Sequence, residues 1–298
     1  MATIYTHAGS NIRKTWLLMT GFLILIIALG WLFGNIFESQ MILLIAVGFS
    51  VLTSISSYWY SDKIVLATAK AKPIEKKDNP ELCRLVENLC ITAGLPLPKI
   101  YIIEEAQPNA FATGRDARHA VVAVTRGLLD KLEKTELEGV IAHELSHIGN
   151  KDMLLQTVVV IMAGVIAILS HFFLRISFFG GGRSSKSSGG GLLILAGIAA
   201  AILAPIAASL IRLAISRKRE FLADASGSLL TRYPEGLARA LEKISVDPSP
   251  LKVANDTTSH LYIANPFRGK EKKSWFHKLF MTHPPMEERV KALRGMSI

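Results

Sequence analysis

Two histidines and a glutamate near the middle of the chain have the spacing of a metal-binding helix. The stretch HELSH places His143 and His147 four residues apart and sets Glu144 between them. Residues four apart share one face of a helix, so both imidazoles can reach a single ion while Glu144 lies beside them. The alternative is a pair of surface histidines that share this spacing by chance. The pattern favours a metal site with a carboxylate placed to act on water.

A catalytic zinc ion takes three protein ligands and keeps one open position, so a third ligand must come from elsewhere in the chain. The later stretch REFLAD supplies Glu220 and, four residues on, Asp224. We predict that Glu220 completes the ligand set and that Asp224 accepts a ring N–H from a ligand imidazole. The alternative is an ordinary helix beside the membrane with two solvated carboxylates.

Four apolar segments flank these motifs, at residues 15–37, 39–61, 153–174 and 187–211. A hydrocarbon core of roughly 30 Å needs only about 20 helical residues, so each segment is long enough to span a bilayer. His147 lies about six residues before the third segment and Glu220 about nine after the fourth, which corresponds to roughly 9 and 13 Å of helix. A hairpin of these two spans would therefore bring both ligands to a similar level on one side of the membrane.

The charges favour a cytosolic position for both ends of the first hairpin, because Arg13, Lys14 and Lys63 flank it. Cations that follow the fourth segment favour the same side, although cations in the linker between the last two segments argue against it. The net charge of +10 suits an anionic lipid surface. No nucleic-acid motif accompanies the charge, so the expected partners are the lipid bilayer and protein substrates rather than nucleic acid.

The chain divides into four parts on this interpretation. Residues 1–62 form an N-terminal transmembrane hairpin, 63–152 a cytosolic catalytic part, 153–211 a second membrane hairpin with a Gly/Ser-rich linker, and 212–298 a C-terminal catalytic part with the third ligand. Apolar runs at 99–103 and 119–125 predict a small antiparallel sheet. The predicted fold is a mainly α membrane protein with four transmembrane helices and a zincin-type cytosolic catalytic domain containing that sheet.

Four stretches in order, NAFATG, HELSH, REFLAD and THPPMEER, resemble the HtpX family of membrane zinc metallopeptidases, relatives of the CAAX prenyl proteases. The resemblance covers nearly the whole chain. It implies one zinc ion per chain, held by His143, His147 and Glu220, with Glu144 as the general base. It also implies a multi-pass protein of the bacterial cytoplasmic (inner) membrane with a cytosolic active site. The expected activity is that of a zinc metalloendopeptidase in membrane protein quality control.

The same resemblance implies roles for four further residues. Asn109 and Ala110 would belong to an exposed strand edge that pairs with a substrate peptide. His283 or Arg289 would stabilise the developing oxyanion. The expected substrates are unfolded, damaged or misassembled membrane proteins. The alternative function is that of a non-proteolytic, metal-containing membrane adaptor that binds exposed peptide strands, and a transporter is disfavoured because the spans contain almost no charge.

Overall fold

The computed structural model describes residues 4–36, 38–179, 198–199, 202–203, 206, 217–249, 261–263 and 285–296. Within them the chain is mainly helical, as predicted. The helices are α1 (Ile4–Ile36), α2 (Gln40–Trp59), α3 (Ser61–Thr68), α4 (Pro80–Ala93), α5 (Arg126–Lys131), α6 (Lys134–Gly149), α7 (Met153–Phe179), α8 (Arg217–Thr231), α9 (Pro234–Val246) and α10 (Met286–Arg294). The strands are β1 (Lys72–Pro73), β2 (Lys99–Ile103), β3 (Ala110–Thr113) and β4 (Val121–Thr125).

Three helices of the described residues are long and apolar enough to cross a membrane, over Ile12–Asn35, Gln40–Trp59 and Met153–Ser170. Leu17 and Leu52 expose 71% and 65% of their surface, as expected for side chains that face lipid. The opposite faces pack together through Phe22 and Met162. The predicted fourth span at 187–211 and the Gly/Ser-rich linker lie largely outside the described residues, but Leu203 packs against the same cluster.

The small sheet is mixed, so the antiparallel prediction is wrong in one of its pairings. The strand order is β1-β2-β4-β3. Strand β2 pairs with β4 in parallel, whereas β3 pairs with β4 and β1 with β2 in antiparallel fashion. The two apolar runs that form β2 and β4 were expected to belong to an antiparallel sheet. The connecting segment instead forms β3, which reverses the chain once more and leaves β4 parallel to β2.

Helix α6, which carries HELSH, is the central element of the catalytic part. Its first turn is closed by a capping box in which the backbone N–H of Glu133 donates to the side chain of Glu136 at 2.8 Å. Val140, Ile141 and Leu145 on its other faces are completely buried in the main hydrophobic core. That core also contains residues of the sheet and of α9. Burial on all sides holds the two histidines of α6 in fixed positions.

Glycines allow the neighbouring helices to approach α6 closely. A Cβ atom added at Gly227 of α8 would lie 2.9 Å from the backbone nitrogen of His143. One added at Gly139 of α6 would lie 2.7 Å from the backbone nitrogen of Leu237 in α9. Real Cβ atoms do not come this close to a backbone, so both crossings require the absence of a side chain. The first crossing brings α8, and with it Glu220, against the histidine face of α6.

Candidate metal centre

Three ligand-type side chains converge between α6 and α8. His143 and His147 come from α6 and Glu220 from α8, and one ligand atom of each lies within 4.8 Å of the other two. The Nε2 atoms of the two imidazoles are 3.3 Å apart. The Glu220 carboxylate oxygens lie 3.8 Å from His143 Nε2 and 3.7 Å from His147 Nε2. All three residues are buried. These distances show that the stretches HELSH and REFLAD meet at one place.

The donor set fits a zinc ion in both distance and chemistry. Zinc bonds to imidazole nitrogen and carboxylate oxygen are about 2.0 to 2.2 Å long, so ligand atoms of a tetrahedral site lie about 3.4 Å apart. The three observed separations lie close to that value. A carboxylate that is only 3% exposed, as Glu220 is, also needs a positive partner, because burial of an uncompensated charge is costly. Two imidazoles and one carboxylate are the ligand types of known catalytic zinc sites.

Each imidazole has a carboxylate at its second ring nitrogen. His143 Nδ1 lies 2.9 Å from Asp224 Oδ1, in the position expected for Asp224 from the sequence. His147 Nδ1 lies 3.2 Å from Asp152 Oδ2. An Nδ1–H that donates to a carboxylate leaves the Nε2 lone pair available for a metal. The two carboxylates therefore fix the tautomer in which both Nε2 atoms face the same point.

Asp152 was not predicted from the sequence as a partner of His147. It follows His147 by five residues, a spacing that no regular helix face predicts. The helix ends at Gly149, Lys151 adopts a left-handed conformation with φ of 55°, and the Asp152 N–H donates to the His147 carbonyl oxygen at 3.0 Å. This turn brings the Asp152 side chain back to the ring. The available signal was an aspartate one residue before an apolar span, where a buried charge requires a partner.

The two ligand histidines have opposite shifts in pKa in the metal-free site. Burial lowers the pKa of His143, even though the Asp224 hydrogen bond and charge act against this. Burial acts in the same direction on His147, but the Asp152 hydrogen bond and the negative charge of Glu220 outweigh it and raise the pKa of His147 to about 9. At neutral pH the metal-free site therefore holds one neutral imidazole and one imidazolium.

Glu144 is buried beside the ligands, with only 2% of its surface exposed. Its carboxylate accepts a hydrogen bond from the backbone N–H of Ala112 in β3. Burial raises the pKa of Glu144 to about 7, with the negative charge of Glu220 acting in the same direction. A carboxyl group with this pKa can accept a proton and return it at neutral pH, as general acid–base catalysis requires.

Arg289 is completely buried and contacts the ligand set through Asp224. Its Nε and Nη2 atoms donate to the two Asp224 carboxylate oxygens at 2.8 and 2.6 Å. This guanidinium holds the pKa of Asp224 down to about 2, although burial alone would raise it. Arg289 Nη1 lies 3.8 Å from Glu220 Oε2. The expected role of Arg289 at the oxyanion stays a prediction, and His283 lies outside the described residues.

The expected peptide-binding edge is at the site but is not exposed. Strand β3 is the edge strand of the sheet, yet Asn109 and Ala110 are buried, at 0% and 1% exposure. The Ala110 carbonyl oxygen accepts the N–H of Ile263 at 3.1 Å. Tyr262 packs edge-on against Phe111, with ring centroids 5.3 Å apart. The segment 261–263 therefore covers the edge, and the role of Asn109 and Ala110 in substrate binding stays a prediction.

Comparison with known proteins places this geometry in a family. Residues 76–297 match the model of peptidase family M48. A protein described as a protease HtpX homolog from Thermoanaerobacter pseudethanolicus is 44% identical over 302 residues, which cover 99% of each chain. A protein of the same description from Pyrococcus furiosus is 46% identical over 287 residues, or 96% of each chain.

A solved structure shows the same fold at low sequence identity. The crystal structure of S. mikatae Ste24p matches with a TM-score of 0.50 and 21% identity. The match covers 95% of this chain and 65% of the Ste24p chain. This chain therefore has the fold of about two thirds of the larger protein.

Proposed function

The chain belongs to peptidase family M48, and we propose that it is a zinc-dependent endopeptidase that cuts misfolded or damaged membrane proteins at the cytosolic face of the inner membrane. The family and the candidate spans establish a membrane metalloprotease. The observation that carries the finer proposal is the convergence of His143, His147 and Glu220 at the mouth of a membrane helix, with Glu144 beside them. A site at that position reaches chains that emerge from the same bilayer.

The residues of the site divide the chemistry between them. Zinc, one ion per chain, lowers the pKa of water and polarises a carbonyl as a Lewis acid when it is bound. His143, His147 and Glu220 would hold it. Glu144 removes a proton from the attacking water and returns it to the leaving amine, which its pKa of about 7 permits. The burial of Glu144 keeps bulk water from its carboxylate in the resting site.

A substrate strand would bind along β3. The Ala112 N–H is directed at Glu144, so the edge of β3 lies directly beside the catalytic carboxylate. Strand addition uses main-chain hydrogen bonds and reads little of the sequence, which suits an enzyme with many unfolded clients. Before a substrate N–H can donate to the Ala110 carbonyl oxygen, the hydrogen bond from the Ile263 N–H to that oxygen must break. Binding is therefore a competition between the substrate and the segment 261–263.

The experiment that tests the proposal uses detergent-purified protein and an unfolded membrane protein as substrate. The wild-type protein is expected to cleave the substrate, to lose cleavage with a chelator and to regain it with added zinc. Glu144→Gln is expected to keep its zinc and lose turnover by at least about a hundredfold, because the general base is removed. Glu138→Gln on the same helix is the matched control and should behave as wild type.

Three results would contradict the proposal or parts of it. Cleavage by Glu144→Gln at the wild-type rate, with contaminating proteases excluded, would remove Glu144 as the base. Unchanged zinc content in Glu220→Ala would remove Glu220 from the ligand set. A wild-type protein that binds unfolded substrate in a zinc-dependent manner and never cuts it would instead be the membrane adaptor considered from the sequence.

A further inference from the structure

A cavity of about 230 Å³ lies between the membrane helices and the catalytic part, at the C-terminal end of α6. Its walls come from both the membrane helices and the catalytic part. Trp16 and Tyr58 line it from α1 and α2, and Met153 lines it from the first turn of α7. Arg115 and Lys151 line it from the catalytic part. None of these residues belongs to the proposed zinc site.

The cavity lies where three candidate spans begin or end, which is the level expected for the lipid headgroups. The candidate spans Ile12–Asn35 and Met153–Ser170 begin beside it, and the span Gln40–Trp59 ends beside it. The Trp16 and Tyr58 rings stack with centroids 6.0 Å apart and interplanar angle of 29°. Trp and Tyr are enriched where a bilayer meets water, because their rings are apolar and their edges are polar. The ends of three spans and the two aromatic rings therefore all indicate that the cavity lies at the level of the lipid headgroups.

The wall on the catalytic side is cationic. The Arg115 guanidinium lies 4.7 Å from the centre of the Trp59 ring, which holds it at the membrane boundary. Its Nε atom is 3.5 Å from Asp116, but that carboxylate also accepts the backbone N–H groups of Arg118 and His119. Lys151 is exposed and forms no ion pair with any residue in the described part of the chain. The cavity therefore has two cations and one carboxylate that is largely occupied.

We propose that this cavity binds the phosphate group of an anionic phospholipid. Arg115 and Lys151 would contact the phosphate, while the acyl chains would lie along the exposed apolar faces of the spans. The volume is below the roughly 300 to 1,000 Å³ of pockets for drug-sized ligands, so it suits a headgroup better than a peptide. Two cations disfavour a choline headgroup, although the aromatic rings alone would accept one.

The position of the cavity gives the bound lipid a contact with the metal helix. Ile148, which follows His147 directly, and Lys151, which directly precedes Asp152, both line the cavity. A phosphate on Lys151 would stabilise the turn that returns Asp152 to the His147 ring. The site thus links lipid binding to the junction of α6 and α7. This inference rests on the cavity and does not depend on the proposed protease activity.

Native mass spectrometry of the full-length protein in detergent tests the proposal. We expect one phosphatidylglycerol molecule to stay bound at concentrations where phosphatidylcholine dissociates. The double variant Arg115→Gln/Lys151→Gln should bind phosphatidylglycerol about thirtyfold more weakly, from the contribution of each cation near a lipid surface. Lys63→Gln is the matched control, because Lys63 lies at the same boundary, over the Tyr60 ring, and does not line the cavity.

Three outcomes would overturn the proposal. An equal loss of lipid in Lys63→Gln would show a general effect of surface charge. Equal retention of phosphatidylcholine would show that the phosphate site does not select anionic lipid. Displacement of phosphatidylglycerol by the same concentration of inorganic phosphate would identify a soluble anion as the ligand. Unchanged zinc content and melting temperature of the variants would show that they are folded.

Discussion

At the scale of single residues, the orientation of each ligand imidazole is set by a carboxylate from a different part of the chain. Asp224 lies on α8 and is itself held by the Arg289 guanidinium. Asp152 lies at the start of the third span. Both carboxylates contact Nδ1, so both rings present Nε2 to the same point before any metal arrives. Mutation of such hydrogen-bond partners typically costs about 10- to 100-fold in metal affinity or activity.

The first prediction concerns Asp152. We expect Asp152→Asn to weaken zinc binding about 10- to 100-fold, because the amide keeps the size of the side chain and loses the charge that orients His147 and makes it basic. Competition with a fluorescent chelator measures the affinity. Asp247→Asn is the control, since Asp247 is also buried but pairs with Lys131 far from the ligands. Equal affinities in the two variants would show that Asp152 has no part in the site.

The second prediction concerns protons. A protonated imidazole cannot bind a metal, and the pKa of His147 is raised to about 9, so zinc binding at pH 7 must release about one proton from this ring. Lower pH then favours the metal-free state, and the zinc affinity should rise about tenfold per pH unit up to about pH 9. Isothermal titration calorimetry in buffers of different ionisation enthalpy counts the protons. If zinc binding at pH 7 releases no proton, His147 is not protonated in the metal-free site and the prediction is wrong.

At the scale of elements, the ligand set depends on how closely α8 crosses α6. The crossing point is Gly227, where the backbone of α8 lies against the backbone of His143. Glu220 and Asp224 lie on the same helix. Asp224 contacts His143, and the Glu220 carboxylate lies close to both His143 and His147. The spacing between the helices therefore sets the distance between the third ligand and the other two.

The third prediction tests this crossing. Gly227→Ala should destabilise the protein by about 1 to 3 kcal/mol and lower its zinc content, because the added methyl group must push α8 away from α6. Gly149→Ala is the matched control, since no atom lies within 4 Å of a Cβ added at that end of α6. Thermal unfolding in detergent and metal analysis measure both effects. If Gly227→Ala keeps full zinc content, the helix spacing does not control the third ligand.

The sequence predicted the elements whose signals are local. The apolar spans, the histidines four apart in HELSH and the acceptor position of Asp224 all follow from spacing along one segment. The parallel direction of the β2–β4 pairing was missed, because strand direction depends on the path of the residues between the two strands. Asp152 was missed because a left-handed residue, Lys151, returns it to the ring. The cover over β3 was missed because Ile263 is far from Ala110 in the sequence.

At the scale of the whole molecule, the catalytic part is one unit made from two separated pieces of chain. The main hydrophobic core joins Val140 of α6 with Leu241 of α9 and Leu293 of α10. Arg294 of α10 adds ion pairs with Glu235 and Glu242 of α9 at 3.0 and 2.8 Å. The two segments predicted as catalytic parts therefore share a core, and the residues proposed to hold zinc come from both of them.

The fourth prediction follows from this assembly. Removal of zinc by a chelator should increase hydrogen exchange in Arg217–Thr231, because the ligand bond from Glu220 is lost and the buried carboxylate is left near Asp224. Exchange in β2 and β4 should stay the same, since the core holds these strands without the metal. Hydrogen exchange with mass spectrometry measures both regions. Glu144→Gln should respond like wild type, and a uniform increase across the chain would show that zinc stabilises the whole fold instead.

In the proposed function, the short junction between α6 and α7 limits how far the cleavage site can lie from a client's own membrane anchor. Only residues 150–152 separate the two helices, so the ligands cannot move much relative to the lipid. A client anchored in the same bilayer would need an unstructured segment outside it, at about 3.3 Å per extended residue, that is long enough to reach the ligands before it could be cut. A client whose folded domain begins directly at the bilayer would be spared, and every product would keep a stub of similar minimum length.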